Sequence, residues 1–297
     1  MPRSEAAGSA AGTPVVSILL PSYNAALTLG SAITSVLAQQ FTNWELLVLD
    51  DHSRDGTPDL VTALCDARVR YIGPTSERGL VARLNQGIAL ARGRYIARMD
   101  ADDVSFPLRL GRQVAFLDAH PDVDLVGCKA VAFREDGAVL GILPFAPTHE
   151  ALCKRPWSHI PLPHPGWMGR RAWFERHLYR PVPRAEDQEL LLRAYPVSRF
   201  ACLDEVLLGY RLNAFRLSSA FAARRSLLRA QLRIFFERRE LLNGVRAAVL
   251  ACAKMAADVA CAAGFEKPYM GTARHAVSAE VLAQLNSCLS AGASTKS

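Results

Sequence analysis

Short apolar runs that alternate with helix-type repeats are the feature of this sequence that most restricts its fold. Residues 15–21 and 44–49 are nearly continuous apolar stretches of the length expected for strands buried on both faces. Between them Leu29, Ile33 and Val36 recur at helical spacing, which predicts a helix packed against the strands. The alternation continues along the chain and predicts an α/β fold, with a mostly parallel sheet flanked by helices.

Charge and pattern divide the chain into three predicted parts. Residues 1–13 are small and polar and predict a disordered leader, whereas residues 14–215 hold the alternating elements and carry no net charge. Residues 216–297 hold the whole net charge of +7, are helical in pattern and end in a stretch, 290–297, that predicts disorder. We therefore expect the chemistry in the neutral part, with a basic helical extension attached to it.

The sequence lacks the marks of a secreted or membrane-spanning chain. No stretch reaches the ~18 consecutive apolar residues that a membrane-spanning helix needs, and the leader lacks the apolar core of a signal peptide. The seven cysteines form no Cys-x-x-Cys pair, which favours reduced thiols and argues against a zinc site. We expect a cytoplasmic protein, and peripheral contact with the inner face of the plasma membrane stays open.

Acidic residues follow the predicted strands at their carboxyl ends, the edge where ligands bind in parallel α/β sheets. Asp100 and Asp102 are two residues apart after the fourth strand, so their side chains point to the same side of an extended segment. Such a pair suits a hard divalent cation, Mn²⁺ or Mg²⁺, which would also bind the phosphates of a nucleotide. Alternatively, these residues form a solvated acidic loop that caps the following helix.

Loops beside this pair offer further ligand contacts. Asp51, after the second strand, suits the imide N–H of a uracil ring or the hydroxyls of ribose. Tyr23 and Asn24, after the first strand, offer a ring on which a base can stack and a polar contact, and Arg78 offers a charge to the base or the diphosphate. Each of these residues is equally consistent with ordinary turn chemistry.

Glu186 and Asp187 fall in the first turn of a predicted helix. A carboxylate here can act as a general base that takes a proton from an acceptor hydroxyl. The helix dipole favours carboxylates at this position in any protein, so a purely structural role also stays open.

Taken together, these residues resemble the inverting glycosyltransferases of family 2, which have the GT-A fold. The resemblance covers roughly residues 14–215. Each motif alone is weak evidence for the family, whereas the occurrence of all of them in the same order is strong evidence. The matching segments are 17–24 (SILLPSYN), 49–57 (LDDHSRDGT), 84–87 (LNQG), 93–103 (GRYIARMDADD), 185–190 (AEDQEL) and the pair His164-Pro165.

The resemblance implies transfer of a sugar from a nucleotide-diphosphate sugar, with a UDP-sugar expected first. Asp51 would hold the nucleobase, beside Tyr23 and the backbone near Pro21. Asp100 would contact ribose, and Asp102 would bind Mn²⁺ or Mg²⁺ bridging the diphosphate.

The resemblance also implies the catalytic base and the biological setting. Asp187 would be the base, with Glu186 beside it in contact with substrate, and a single displacement would invert the anomeric centre. The acceptor would be a saccharide or a lipid-linked saccharide in bacterial cell-surface polysaccharide or lipopolysaccharide synthesis.

The sequence also bears on two other functional classes. A catalytically silent nucleotide-sugar-binding or scaffold protein on the same fold stays open, although Asp51, Asp102 and Asp187 are all intact. A dinucleotide-dependent oxidoreductase is excluded, because the turn that follows the first strand, at residues 21–24, contains no glycine.

The basic extension has two interpretations. Arginines at 225, 229 and 233 recur every four residues beside an apolar stripe within 221–242. Such a helix either packs on the catalytic domain with a solvated arginine face or adheres, over residues 216–246, to an anionic membrane surface. No recognised module or interleaved aromatic residues indicate nucleic-acid binding.

Overall fold

The computed structural model describes residues 12–212, 215–263 and 277–293 of the chain. The strands are β1 (Val16–Ser22), β2 (Trp44–Asp50), β3 (Val69–Ile72), β4 (Tyr95–Arg98), β5 (Val104–Ser105), β6 (Leu125–Phe133), β7 (Val139–Ile142), β8 (Met168–Arg170) and β9 (Phe200–Arg211). The helices are α1 (Leu29–Leu37), α2 (Thr57–Thr62), α3 (Leu80–Leu90), α4 (Arg109–Ala119), α5 (His149–Leu152), α6 (Arg171–Arg176), α7 (Glu186–Ala194), α8 (Leu217–Glu237), α9 (Leu241–Ala262) and α10 (Ala279–Ala293).

The nine strands of the described ranges belong to one sheet, in the order β3-β2-β1-β4-β8-β6-β9-β5, with β7 paired to β6. The first four strands of this order are parallel, as the alternating pattern predicts. Beyond β4 the sheet is mixed, because β8 runs antiparallel to both of its neighbours whereas β6 and β9 are parallel. The predicted α/β architecture with flanking helices is confirmed, and its parallel part is the half that carries the acidic loops.

Helix α3 packs closely on the parallel strands because a glycine faces them. A Cβ at Gly87 would lie 2.6 Å from Leu49 Cδ1 and 2.9 Å from Leu19 Cδ2. Leu84 and Ile88 on the same helix are fully buried, as their spacing predicts. The close contact brings the start of α3 toward the carboxyl ends of β1 and β2, where the acidic residues lie.

Most of the described residues of the C-terminal region are helical, as predicted. Helices α8 and α9 pack against each other as a hairpin, and α8 also contacts α7. Helix α10 contacts α1 and β5, and Leu285 lies fully buried in a cluster with Phe106 and Val131. The predicted extension is therefore not separate from the sheet, since its last helix completes part of the core.

Helix α10 continues to Ala293, so residues 290–293 are helical and the predicted disordered end was wrong for them. Residues 294–297, and residues 1–11 of the predicted leader, lie outside the described residues. Across the described ranges, no helix is both long and apolar enough to cross a membrane.

Candidate active site

The loops that follow β1, β2 and β4 lie side by side at one edge of the sheet. The β1 and β2 strands end in register, with Ser22 opposite Asp50, and the Asp51 N–H donates to the Ser22 carbonyl at 2.8 Å. On the other side of β1, the Met99 N–H donates to the Leu19 carbonyl at 3.0 Å. The acidic groups after β2 and β4 therefore flank the end of β1, as the parallel arrangement predicts.

The pocket beside β2 is formed around Asp51, whose side chain is mostly buried. The Gly79 N–H lies 2.9 Å from each of its carboxylate oxygens. Arg83 of α3 is almost fully buried, and its Nε lies 3.8 Å from an Asp51 oxygen. The Arg83 guanidinium also donates to the Glu77 carbonyl at 3.0 Å and to the Thr75 hydroxyl at 2.5 Å, so it anchors the loop that borders the pocket.

Sequence reasoning missed Arg83 and named Arg78 of the same loop instead. Arg78 is exposed, whereas Arg83 places its charge beside Asp51. The available signal was an arginine directly before the buried Leu84 on an amphipathic helix, a position where an unpaired charge is unfavourable.

The loop after β1 places its predicted residues differently. Pro21 is buried within β1, and Tyr23 is 63% exposed, which leaves its ring open to a stacking partner. Asn24 has a positive φ of 47°, and its side-chain oxygen accepts from the Arg54 N–H at 2.9 Å, while its own N–H donates to the Ser53 hydroxyl. Asn24 thus ties the β1 and β2 loops together, and its contact with a nucleotide stays a prediction.

Three carboxylates converge after β4. Ligand atoms of Asp100, Asp102 and Asp103 all lie within 4.8 Å of one another. Asp103 is buried, and one of its oxygens accepts from the Arg211 N–H at 2.7 Å, while the Arg211 Nε donates to the Asp102 carbonyl at 2.8 Å. The end of β9 therefore holds this acidic loop in place.

The electrostatics of this cluster favour an added positive charge. Burial, followed by the charge of Asp100, raises the pKa of Asp102, and the same causes raise the pKa of Asp103 well above its ordinary value. The other Asp103 oxygen is buried and accepts no hydrogen bond from the described residues. A hard divalent cation would supply the missing charge and the missing partner, so these residues fit Mn²⁺ or Mg²⁺.

Helix α7 brings the second pair of predicted residues to the same edge. Glu186 is 8% exposed, and burial together with the neighbouring charge of Asp187 raises the pKa of Glu186 to about 7. Burial also raises the pKa of Asp187, whereas the charge of Arg98 opposes that rise. Asp100 acts on Glu186 as well, so the α7 carboxylates and the β4 loop share one electrostatic environment.

The group that connects these carboxylates is Arg98, the last residue of β4, which sequence reasoning quoted but did not assign. It is 3% exposed and forms an ion pair with Asp100. Its charge also acts on Asp103 and Asp187. A buried guanidinium at this position partly offsets the repulsion among the acidic groups.

Tyr179 was also missed, although two quoted motifs converge on it. The side chain of Asn85 accepts from the Tyr179 N–H and donates to its carbonyl, both at 3.0 Å. His164 Nε2 lies 2.7 Å from the Tyr179 hydroxyl, and burial holds the pKa of His164 well below its ordinary value. The LNQG and His-Pro motifs therefore fix a buried tyrosine whose pKa is raised chiefly by burial, with a contribution from the charge of Asp187.

The family model described as glycosyl transferase family 2 matches residues 17–178, which include the β1, β2 and β4 loops. The chain belongs to glycosyl transferase family 2. The match ends before α7, so the roles of the α7 carboxylates rest on their geometry and on the quoted resemblance.

Curated relatives of this family member are similar over parts of the chain. The putative glycosyltransferase EpsE of Bacillus subtilis is 39% identical over 193 residues, which are 61% of this chain and 67% of that protein. The succinoglycan biosynthesis protein ExoO of Rhizobium meliloti is 45% identical over 106 residues, 36% of this chain and 30% of that protein. The Escherichia coli UDP-Glc:alpha-D-GlcNAc-diphosphoundecaprenol beta-1,3-glucosyltransferase WfgD is 39% identical over 103 residues, 35% of this chain and 41% of that protein. The chain thus spans less than half the length of the last two.

Solved structures resemble the family 2 chain over most of its length. TarS of S. aureus, in complex with UDP-GlcNAc, has a TM-score of 0.62 at 19% identity and covers 93% of this chain and 80% of its own. The mannosyltransferase PcManGT of Pyrobaculum calidifontis, in complex with GDP-Man and Mn²⁺, has a TM-score of 0.58 at 18% identity, with coverages of 96% and 88%. At this identity the likeness bears on the fold alone, and the GT-A fold is confirmed.

Proposed function

We propose that this protein is a metal-dependent inverting glycosyltransferase that uses a nucleotide-diphosphate sugar, with a UDP-sugar as the first candidate. The observation that carries the proposal is the convergence of Asp100, Asp102 and Asp103 beside the Asp51 pocket, within electrostatic reach of the α7 carboxylates. Two relatives support the donor type, because WfgD is named for UDP-Glc and PcManGT was solved with GDP-Man and Mn²⁺.

The donor would lie across the carboxyl ends of β1, β2 and β4. Asp51 would accept from the nucleobase beside Pro21, and the exposed ring of Tyr23 would stack on that base. Arg83 positions Asp51, and Arg78 would reach the diphosphate from the exposed part of the same loop.

The acidic cluster would hold both ribose and the cation. Asp100 would contact ribose, Asp102 would bind Mn²⁺ or Mg²⁺, and Asp103 would support the same cation with its unpaired oxygen. When bound, the cation supplies charge neutralisation for the departing nucleoside diphosphate.

Helix α7 would act on the acceptor. Asp187 would take the proton of the attacking hydroxyl as that oxygen bonds to the anomeric carbon and the bond to the diphosphate breaks. One displacement with one base inverts the configuration at that carbon. Glu186 would contact the acceptor, and burial together with the charge of Asp187 raises its pKa to about 7, so part of the population keeps a proton on Glu186 near neutral pH.

The acceptor class and setting follow from the relatives as proposals. ExoO is named for succinoglycan biosynthesis, and WfgD acts on a diphosphoundecaprenol-linked sugar. We infer a saccharide or lipid-linked acceptor in bacterial cell-surface polysaccharide synthesis, in the cytoplasm and at the inner face of the plasma membrane. Residues 14–215 would form the catalytic domain, and residues 216–297 would attach to it.

A thermal-shift panel tests this function. UDP, GDP, dTDP and CDP are each added with and without Mn²⁺, because a ligand that binds only the native state raises its melting temperature. We expect one nucleoside diphosphate to stabilise the protein only when Mn²⁺ is present. Asp102→Ala should abolish this stabilisation, whereas Asp122→Ala, an exposed aspartate away from the site, should keep it.

Asp187→Asn then separates donor binding from chemistry. It should keep the donor-dependent stabilisation and lower turnover by ~10²-fold or more, as loss of a general base does. Absence of any nucleotide-dependent thermal shift would contradict the proposed donor. Normal turnover by Asp187→Asn would contradict the assignment of Asp187 as the base.

A further inference from the structure

Helix α9 is oriented with its apolar residues toward solvent. Its exposed side includes Leu242, Val245, Val249, Cys252 and Val259, and no charged residue interrupts this series. Their positions differ by three, four, three and seven residues, which places them on one face of a helix. An ordinary surface helix exposes its polar face, so this exposed apolar face calls for a partner.

The charged groups of α9 are placed toward the rest of the protein instead. Asp258 is fully buried in an ion pair with Arg224 of α8. Lys254 is partly buried, and the guanidinium of Arg246 lies 4.7 Å from the centre of the Trp157 ring. The orientation of α9 is therefore determined by specific pairing, and its apolar face is left outward.

The end of α8 enlarges this apolar surface. Phe236 is 75% exposed and Leu232 is 42% exposed. A groove of about 700 Å³ separates them from α9, and its lining includes Leu232, Phe235, Phe236, Leu241, Gly244, Val245 and Ala248. We call the exposed residues Leu232, Phe236, Leu241, Leu242, Val245 and Val249 the hairpin patch.

Arginines border the hairpin patch on one side. Arg225 and Arg229 are exposed and lie seven and three residues before Leu232, on the same face of α8 as Leu232 and Phe236. At 1.5 Å per residue, they lie about 16 Å and about 10 Å from Phe236 along the helix axis. An apolar end followed by cations at this distance matches the acyl and phosphate layers of a bilayer surface.

We propose that the hairpin patch docks on an anionic lipid bilayer. Its apolar side chains would enter the boundary between headgroups and acyl chains, while Arg225 and Arg229 would meet lipid phosphates. Arg225 and Arg229 are both exposed, so this border of the hairpin patch is complementary to anionic lipid. A second copy of the chain is a poorer partner, because a two-fold contact would place identical arginine borders near one another.

The hairpin is joined to the helix that carries the proposed base. The guanidinium of Arg238 donates to the carbonyls of Leu192 and Arg193 at 3.1 and 2.9 Å, and Arg233 donates to the buried Glu189 at 3.1 Å. These bonds attach α8 to the end of α7. If the proposed function holds, docking would set the height of Asp187 above the membrane and favour an acceptor whose sugar stays near the lipid surface.

Vesicle sedimentation of the full chain tests the docking surface. Vesicles of phosphatidylcholine alone are compared with vesicles that also contain phosphatidylglycerol. We expect binding to the anionic vesicles that weakens as salt is added, because headgroup attraction is screened. The double variant Phe236→Glu/Leu242→Glu should lower the partition coefficient by about ten-fold or more, since it places charges in the apolar layer.

Two further variants separate the contribution of the arginines from that of the apolar side chains. Arg225→Gln/Arg229→Gln should weaken binding to anionic vesicles only, and Val197→Glu, which changes an exposed apolar residue outside the hairpin, should bind like the wild type. Unchanged binding by the Phe236/Leu242 variant, or no binding by the wild type, would overturn the proposal. Light scattering that shows a dimer in the wild type and a monomer in that variant would also overturn it, in favour of self-association.

The same variants distinguish this inference from the proposed function. Nucleotide-dependent thermal stabilisation needs no membrane, so it should be the same in the wild type and in the Phe236→Glu/Leu242→Glu variant. Loss of vesicle binding with intact donor binding supports docking. Vesicle binding without any donor binding would leave the docking surface standing and refute the donor site.

Discussion

The raised pKa of Glu186 predicts that replacing it with glutamine stabilises the protein in a pH-dependent way. Glu186 is 8% exposed, and its pKa rises from the ordinary 4.5 to about 7 because burial and the charge of Asp187 disfavour ionisation. Glutamine has the same shape and stays neutral at every pH. The difference in unfolding free energy between variant and wild type therefore reports the cost of ionising Glu186.

The sign and the size of the effect follow from proton linkage. Below pH 4.5 the carboxyl is protonated in both states, so its titration contributes nothing to the difference. As pH rises toward about 7, the unfolded chain releases the proton first, and the stability of the wild type falls relative to the variant. The full pKa difference corresponds to about 3 kcal/mol at about 1.4 kcal/mol per pH unit.

Urea unfolding at pH 5, 6, 7 and 8 measures this difference, with tryptophan fluorescence as the signal. Trp167 and Trp173 are fully buried, so their emission should respond to unfolding. We expect the stability of Glu186→Gln relative to the wild type to increase from pH 5 to pH 7 and to level off between pH 7 and pH 8, where Glu186 is ionised in both states. A pH-independent difference, or a wild type that is the more stable protein at pH 8, would refute the assignment of a neutral Glu186 near neutral pH.

Two further changes test the donor pocket and the C-terminal core. Arg83→Met should weaken nucleoside diphosphate binding by about ten-fold, because Asp51 loses its neighbouring charge; calorimetric titration checks this, and Arg78→Met shows whether the exposed arginine shares the role. Leu285→Ala should lower the unfolding free energy by about 2–5 kcal/mol, as expected for a fully buried leucine, whereas the exposed Val197→Ala should change it little in the same urea experiment.

The parallel half of the fold was predictable because its strands and acidic loops are recognisable from short contiguous stretches of sequence. β1, β2 and β4 are contiguous apolar runs, and the acidic residues follow them directly in the sequence. The strands β5 and β8 were missed because they have only two and three residues and are defined by their partners in the sheet. Segments of two or three residues are too short to show a hydrophobic period.

The predicted site shows the same division between local and long-range information. Residues such as Asp102 were found because they belong to short acidic motifs at strand ends. Arg83, Arg98 and Tyr179 were missed because their importance depends on burial and on contacts across the chain. Tyr179 is held by a residue 94 positions earlier, and no local pattern connects the two.

The return of α10 to the sheet has a consequence for how this chain acquires its fold during synthesis. Leu285 packs with Val104 of β5, about 180 residues earlier, and Asp103 of the acidic cluster directly precedes that strand. Contacts of such long sequence separation form late, because chain entropy opposes them until most other structure exists. On the ribosome, the sheet beside the acidic loop stays uncovered until α10 has emerged. The native structure around Asp103 should therefore form in one of the last steps of folding.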